Sequence, residues 1–353
     1  MAASKLTNSR GASPPTSSRP LRLLLAGLGS FGKEHLSRLT ERSDVNIVGM
    51  ADANPAALEP IRAILGVAEC LADPLQLIDA VEADAIIVAT PAASHVEIGV
   101  RALKKNLSVL LEKPIAPSAN SAVPLLEAVR SSAGFIMPGH VLRFSQDHVR
   151  MVETVRSGRI GEVIYVNSRR YRDDSHAVRY PDDDPVLMTL IHDIDIAQWV
   201  TGSDFHSIVA RRSEGVGYRS MTAVSATSAT GVICDLRTAW TFSDGEAPPD
   251  RVEVVGNRGS VELTVGAGLD VYAEGQRARY PAATADDPLR NEQDHFLACV
   301  RDRSMAPALT LSQALVGLKL ADAAIESLRR GRPSRNAKRG YSTTTSAKRP
   351  GFL

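Results

Sequence analysis

Residues 21–35 read LRLLLAGLGSFGKEH, and the fold follows from how this stretch is parsed. Leu21 to Ala26 is an apolar run of strand length, the composition of a strand covered on both faces of a parallel sheet. Gly27, Gly29 and Gly32 follow at the G-x-G-x-x-G spacing, and KEHLSRLT beyond them reads as a helix. Each glycine has a physical task. One allows the tight turn off the strand, one lets the backbone approach a pyrophosphate, and one lets helix and strand pack closely. The phosphates of a dinucleotide then lie over the unpaired N–H groups and positive dipole end of the helix. Gly27, Gly29, Ser30, Phe31 and Gly32 are therefore the expected cofactor loop. A second apolar run, Val45 to Met50, ends at Ala51 and Asp52. Asp52 stands twenty residues beyond Gly32, where the acid that holds the adenosine ribose belongs. Its charge repels a 2′-phosphate, and Ala53 and Asn54 supply no arginine to hold one. NAD rather than NADP is the cofactor this predicts.

Outward from this core the strand–helix rhythm continues. Pro55 to Leu65 and Pro74 to Val81 read as helices, and Ala85 to Ala89 as a buried strand ending in Thr90-Pro91. A helix capped by Ser94 runs to Asn106, and Val109 to Leu111 is a strand ending in Glu112-Lys113-Pro114. Such alternation implies a parallel, doubly wound sheet whose ligand lies across the carboxyl ends of its strands. Thr90, Pro91, Glu112 and Lys113 join the glycine loop and Asp52 at that edge.

Beyond Gly139 the pattern changes. Ser145 to Ser157 and Val186 to Val200 read as helices, with a strand over Val163 to Arg169 and an acidic loop over Pro181 to Pro185. Strand-like runs follow in succession: Ser207 to Arg212, Arg219 to Ala226, Val232 to Phe242, Val252 to Val255 and Ser260 to Val265. Helices near Asn291 to Arg301 and Leu311 to Arg329 close the chain. The expectation is an α/β protein in which an N-terminal Rossmann domain (21–138) precedes an α+β domain (139–331) with a mostly antiparallel sheet. Residues 1–20 and the basic stretch 332–353 are expected to be disordered tails.

The 353 residues allow roughly two domains, and a formal net charge of +1 gives no reason to expect a nucleic acid or membrane partner. No run approaches the length of a membrane span. Cys70, Cys234 and Cys299 show neither metal-ligand nor C-x-x-C spacing, which suits a reduced, cytoplasmic setting.

Lys113 is the first candidate for chemistry, because a desolvated lysine beside the cofactor can exchange a proton with an alcohol or carbonyl. A surface lysine at a loop start is the plain alternative. Glu112 either orients that lysine and contacts the cofactor or is a solvated loop acid. In the helix from Val186, Leu187, Ile191, Ile194 and Gln198 form one stripe, while Met188, His192 and Asp195 share a neighbouring face. His192 there is either a proton-transfer group in a cleft or a satisfied core histidine. Asp195 reads as a structural partner. His95 either meets the nicotinamide side or is exposed at a helix start. No metal site is expected, since His140, His148, His176, His206 and His295 lack mutual ligand spacing and Asp182-Asp183-Asp184 reads as a solvated loop.

Taken in order, GLGSFG, ADANP, ATPAASH, LLEKP, GHVLRF, SGRIGEV and TLIHDIDIAQW resemble the glucose–fructose oxidoreductase, inositol dehydrogenase and rhizopine-catabolism protein family. The resemblance runs from about Leu21 to Arg332. It implies a C-terminal domain whose large open sheet forms a dimer or tetramer interface. It also implies a sugar, cyclitol or related polyol as substrate and hydride transfer between its secondary alcohol and the nicotinamide. Lys113 and His192 take the catalytic positions, with Lys113, His140, Met188 and His192 lining the substrate. One departure stands out. Inositol-type members carry an aspartate four residues before the histidine, and here that position is Met188, leaving Asp184 or Asp174 as substitutes from nearby loops. A catalytically silent, cofactor-binding regulator on the same scaffold is the competing reading: the missing aspartate favours it, and Lys113 with His192 argues against it.

Overall fold

The sequence drives Leu21 to Ala26 into strand β1 (Leu21–Ala26) because four of its side chains, Leu23 to Ala26, lose all solvent contact between two layers of helices. In the computed structural model, which describes residues 19–65, 69–179, 183–213, 220–242, 247–331 and 334–335, β1 is central to a six-stranded sheet. Its companions are β2 (Val45–Ala51), β3 (Glu69–Leu71), β4 (Ala85–Val88), β5 (Ser108–Glu112) and β6 (Ile136–Gly139), in the order β3-β2-β1-β4-β5-β6. Every pairing is parallel. This is the doubly wound arrangement with its switch point between β1 and β4, where a dinucleotide crosses.

Helices α1 (Ser30–Leu39), α2 (Pro55–Leu65), α3 (Pro74–Ala80), α4 (Ala92–Lys104) and α5 (Val123–Arg130) flank this sheet. α4 begins two residues before Ser94, with Pro91 in the capping position, so Ser94 does not cap it. Instead its hydroxyl oxygen lies 2.8 Å from Thr90 Oγ1 and 2.9 Å from the Pro91 carbonyl oxygen, bonding within the turn that precedes the helix. The strands β3 and β6 and the helix α5 go beyond the sequence reading. β3 is three residues long, and β6 carries Pro138 on an edge strand where a missing N–H is tolerated, so neither shows a hydrophobic period.

A 3₁₀ turn (Val141–Phe144) leads to α6 (Gln146–Arg156), β7 (Val163–Asp173) and α7 (Ser175–Arg179). The helix expected from Val186 is not uniform. Its first turn, Val186–Leu190, is π-helical, and the α-helix α8 (Ile191–Thr201) follows. Asp184 sets up the wide turn: its carboxylate accepts from Val186 N–H at 2.9 Å, and its carbonyl accepts from both Leu187 and Met188 at 2.9 Å.

The second sheet contains β7, β8 (Phe205–Arg212), β9 (Met221–Ser228), β10 (Ile233–Phe242), β11 (Arg251–Gly256), β12 (Gly259–Thr264), β13 (Gly268–Ala273), β14 (Gln276–Pro281) and β15 (Ser334–Arg335). Their order is β14-β13-β12-β11-β7-β10-β9-β8-β15, antiparallel except for the β7–β10 pair. One face packs on α6, α8 and α10 (Leu311–Arg330), while the other leaves Ile164, Ile233 and Tyr272 exposed. α9 (Pro288–Arg301) turns back and buries Phe296 and Leu297 against β1 and α1. α10 has Leu311 to Leu318 in the first core and Leu320 to Ala324 in the second, so one helix joins both. Residues 1–18 and 336–353 lie outside the described residues. No described helix is long and apolar enough to cross a membrane.

Candidate active site

The glycine loop is shaped by steric demand at two positions and left open at the third. Gly27 has φ +92, and a Cβ there would lie 2.5 Å from the Ala89 carbonyl oxygen. At Gly32 a Cβ would come within 2.0 Å of the Gly27 oxygen, so α1 can pack on the loop only without a side chain. Gly29 has open space around its Cβ position, and the N-terminus of α1 carries no side-chain cap. Gly29, Ser30 and Phe31 are exposed. This is an unblocked helix N-terminus with backbone donors available, the setting that suits a diphosphate. Asp52 completes it. Its Oδ2 accepts from Leu28 N–H at 2.6 Å and its Oδ1 from Asn54 N–H at 2.8 Å, which leaves lone pairs on both oxygens for two hydroxyls. Loop, helix end and carboxylate fit the dinucleotide that the sequence predicts.

The carboxyl ends of β4 and β5 carry the other expected residues. His95 is not exposed at the helix start. It is 1 % exposed, with Nδ1 2.9 Å from the Pro114 oxygen and Nε2 2.7 Å from the Thr90 oxygen. Burial pushes its pKa down, toward the neutral form that can donate from one nitrogen only. It donates to one of these two carbonyls and packs between the Thr90-Pro91 turn and the segment after Lys113. Glu112 is also not a solvated loop acid. It is buried, with Oε1 2.9 Å from His35 Nε2, and its Oε2 accepts the Lys113 backbone N–H at 3.2 Å.

Lys113 crosses from the first sheet to the second half of the chain. Its Nζ donates to the Met188 carbonyl at 3.0 Å and lies 3.5 Å from the Met188 sulfur. Burial lowers its pKa; Glu112 and Asp183 oppose this, while Arg170 and Arg172 add to it. His192 lies one turn beyond Met188, its ring centroid 6.3 Å from that of His140 at an interplanar angle of 77°. Its Nδ1 is buried and has no hydrogen-bond partner among the described residues. Burial, with Lys113, Arg170, His140 and Arg172 nearby, holds its pKa well below the usual histidine range. An imidazole favoured in its neutral form, with a buried and unpartnered Nδ1, is not a satisfied core histidine. His140 is buried, and its Nδ1 is 3.6 Å from Asp195 Oδ2, too far for a hydrogen bond.

Asp195 is structural: Arg143 grips both its oxygens at 2.8 and 2.9 Å. Asp184 is engaged too, capping the π-helical turn and accepting from Arg212 on both oxygens at 2.9 and 3.0 Å. It is not free to replace the aspartate that Met188 displaces. Asp174 opens α7, its carbonyl taking the Ala177 N–H. Asp183 is exposed, and Asp182 lies outside the described residues.

The arginines of β7 were not anticipated. Arg170, 4 % exposed, donates to both oxygens of Asp193 at 3.0 and 3.1 Å and to Asp250 at 2.5 Å. Arg172 donates to both oxygens of Asp250 at 2.8 and 3.0 Å, sharing Oδ2 with Arg170. Trp240 Nε1 donates to Thr189 Oγ1 at 3.0 Å, fastening β10 to the π-helical turn. A signal was present for Arg170, since it shares the inward strand phase with Val166 and Ser168, where a charge demands a buried partner.

With this geometry established, the chain can be set beside known proteins. Residues 21–140 match the sequence model of an oxidoreductase family with an NAD-binding Rossmann fold, GFO/IDH/MocA, and residues 148–262 match that family's C-terminal domain. The chain is 27 % identical over 334 residues to inositol 2-dehydrogenase of Rhizobium meliloti, covering 87 % of this chain and 97 % of the relative. It is 26 % identical over 268 residues to inositol 2-dehydrogenase 4 of Saccharopolyspora erythraea, covering 73 % and 78 %. The fold matches that of scyllo-inositol dehydrogenase from Lactobacillus casei, solved with NAD(H) and scyllo-inositol. The TM-score is 0.79 and the identity 18 %, over 90 % of this chain and 99 % of that one.

Proposed function

This chain belongs to the GFO/IDH/MocA family of NAD-binding oxidoreductases, and on that footing we propose that it oxidises a secondary alcohol of a sugar, cyclitol or related polyol, with Lys113 as the base. The observation that carries the reading is the half-buried Lys113 side-chain nitrogen, bonded to the Met188 carbonyl in the same cluster as His192, with burial lowering the pKa of both. The loop from Gly27 to Gly32 and Asp52 hold NAD, with Thr90, Pro91 and Glu112 lining its approach to Lys113. NAD held there would supply the hydride acceptor. Neutral Lys113 takes the hydroxyl proton, and a base whose pKa lies nearer the working pH does so more effectively than an exposed lysine. His192 and His140 hydrogen-bond the substrate and orient the reacting hydroxyl. Residues 21–138 serve the cofactor and 139–331 the substrate. The exposed face of the second sheet joins two or four copies, and the enzyme works in the cytoplasm.

Steady-state reduction of NAD+ across a panel of sugars and cyclitols tests this reading. Turnover of at least one is the expected result. NAD binding with silence across the whole panel is the behaviour of a regulator and would overturn it.

Cofactor preference is a separate expectation. Asp52 beside a 2′-phosphate sets two like charges together, which costs several kcal/mol, so NAD should bind at least about tenfold more tightly than NADP. Fluorescence titration of both measures it, and Asp52→Ala combined with Ala53→Arg should narrow the gap. Tighter NADP binding in the wild type would sink the assignment of Asp52.

Met188 is where this chain departs from inositol-type relatives. A thioether can touch a ring but binds hydroxyls weakly, and a hydroxyl facing it loses roughly 1–3 kcal/mol of unreplaced hydrogen bonding. The substrate is accordingly less polar at that point than inositol, for example a deoxy, anhydro or aryl-bearing sugar. Met188→Asp should raise kcat/KM on inositol-like polyols relative to such substrates. The Lys113 bond to the residue-188 carbonyl is backbone-directed and survives the change. An unaltered substrate ranking would show that Met188 does not line the pocket.

A further inference from the structure

Directly beneath the Lys113 backbone, four polar side chains meet away from water: His35 of α1, Glu112 of β5, and Glu292 and Gln293 of α9. Gln293 Nε2 donates to His35 Nδ1 at 3.0 Å and to the His35 carbonyl at 3.1 Å. Nδ1 is therefore the acceptor, so Nε2 carries the hydrogen and donates it to Glu112 Oε1 at 2.9 Å. Glu112 Oε2 accepts the Lys113 N–H. Glu112 is thus served by a donor on each oxygen, the pattern of a carboxylate ion.

Glu292 is the opposite case. It has no solvent exposure, and neither of its oxygens has a hydrogen-bond partner among the described residues. One of those oxygens lies within 4.8 Å of both His35 and Glu112. The titratable groups packed round it are Glu112 from β5 and His35 from α1; Arg143, in the turn beside α9, is bound to Asp195. The groups that in turn feel the Glu112 carboxylate are Lys113, His95 and His140. A cation in this cluster would need the lone pair of His35 Nε2, which the hydrogen occupies. An ionised Glu292 would be an unpaired charge facing a second carboxylate in a dry pocket.

We propose that Glu292 carries a proton at neutral pH and donates it to Glu112, forming a buried carboxyl–carboxylate pair that tunes the charge next to Lys113. Burial and the facing Glu112 carboxylate both favour the protonated form. The consequence for catalysis rests on the reading of Lys113 as base. Glu112 is the main charge holding Lys113 in its ammonium form against burial. A hydrogen bond from Glu292 draws off part of that charge and lets the lysine become neutral at lower pH. Glu292 is a positioning residue and touches neither substrate nor cofactor.

Two variants and two readouts test this. The folded-state pKa of Glu292 lies above its unfolded value. The stability tied to its proton is therefore complete below the unfolded carboxyl range and is lost as pH rises toward the folded value. Glu292→Gln keeps the donor without the titration. Its stability advantage over the wild type, from denaturant unfolding between about pH 5 and pH 9, should grow by up to about tenfold in folding constant per pH unit. A flat difference would mean an ordinary ionised glutamate and overturn the proposal. In kcat/KM against pH, Glu292→Gln should retain the wild-type acid limb, while Glu292→Leu, lacking the donor, should move it to higher pH. Coincident limbs in Leu, Gln and wild type would overturn the link to Lys113. Stabilisation of the wild type but not Glu292→Gln by added Mg2+, Mn2+ or Zn2+ would overturn the pair in favour of a cation site. The stability slope is independent of Lys113, so its failure is distinct from a failure of the proposed function.

Discussion

Lys113→Met should lower kcat by about 10²- to 10⁴-fold, the range of a lost general acid or base, while NAD continues to bind. The substitution suits the site. Methionine is unbranched and flexible, and it enters a space already shared with the Met188 sulfur. The contacts that organise the cofactor loop, from Asp52 to Leu28 and Asn54, do not involve Lys113. The lysine's own backbone bond to Glu112 also survives. Fluorescence titration of NAD and initial rates over a pH series separate binding from chemistry. In the wild type, oxidation should rise with pH along a limb set by Lys113, and burial places that limb below the ordinary lysine range. His192→Ala should cost less, because a neutral imidazole that orients the hydroxyl is not the proton acceptor. A Lys113→Met enzyme that keeps most of its kcat would show that another group is the base.

The largest effect on stability is expected at Arg170. Arg170→Met leaves Asp193 buried without its two hydrogen bonds and removes one of the two arginines from Asp250. Breaking one side of a buried pair typically costs about 3–5 kcal/mol, because the uncompensated charge costs more than the bond itself was worth. Denaturant unfolding measures the loss. The Arg170→Met/Asp193→Leu double variant should recover part of it, since no orphaned carboxylate remains next to His192. If the single variant unfolds within about 1 kcal/mol of the wild type, the range of an exposed pair, the cluster is solvated and does not anchor α8.

The legible parts of this molecule were those with a strong local period. β1, β4 and β5 carry the apolar runs Leu23 to Ala26, Ala85 to Val88 and Val109 to Leu111, and the glycine spacing and Asp52 follow from a loop whose backbone permits few residues. The unread parts had weak periods or long-range causes. Pro138 disguised β6, and β13 and β14 carry Arg277 and Arg279 on an exposed edge, paired with Asp270 across the hairpin. The π-helical turn before α8 arises from Asp184, whose role depends on Arg212, a residue distant in sequence. Periodicity put Met188 and His192 on one face, but only the fold shows Lys113 reaching that face from the other sheet. Glu292 and His35 carried no signal, since their significance lies in a contact between α1, β5 and α9.

Transfer of the carbon-bound hydrogen is the most direct test of the central claim. A polyol that the enzyme oxidises, deuterated at its reacting carbon, should deliver deuterium to the nicotinamide ring of NAD in the wild type. Lys113→Met, with NAD bound, should form the labelled product at least about 10²-fold more slowly. Mass analysis of the recovered nicotinamide cofactor reads both. Unlabelled cofactor from the wild type, or equal labelling by the two proteins, would contradict the account.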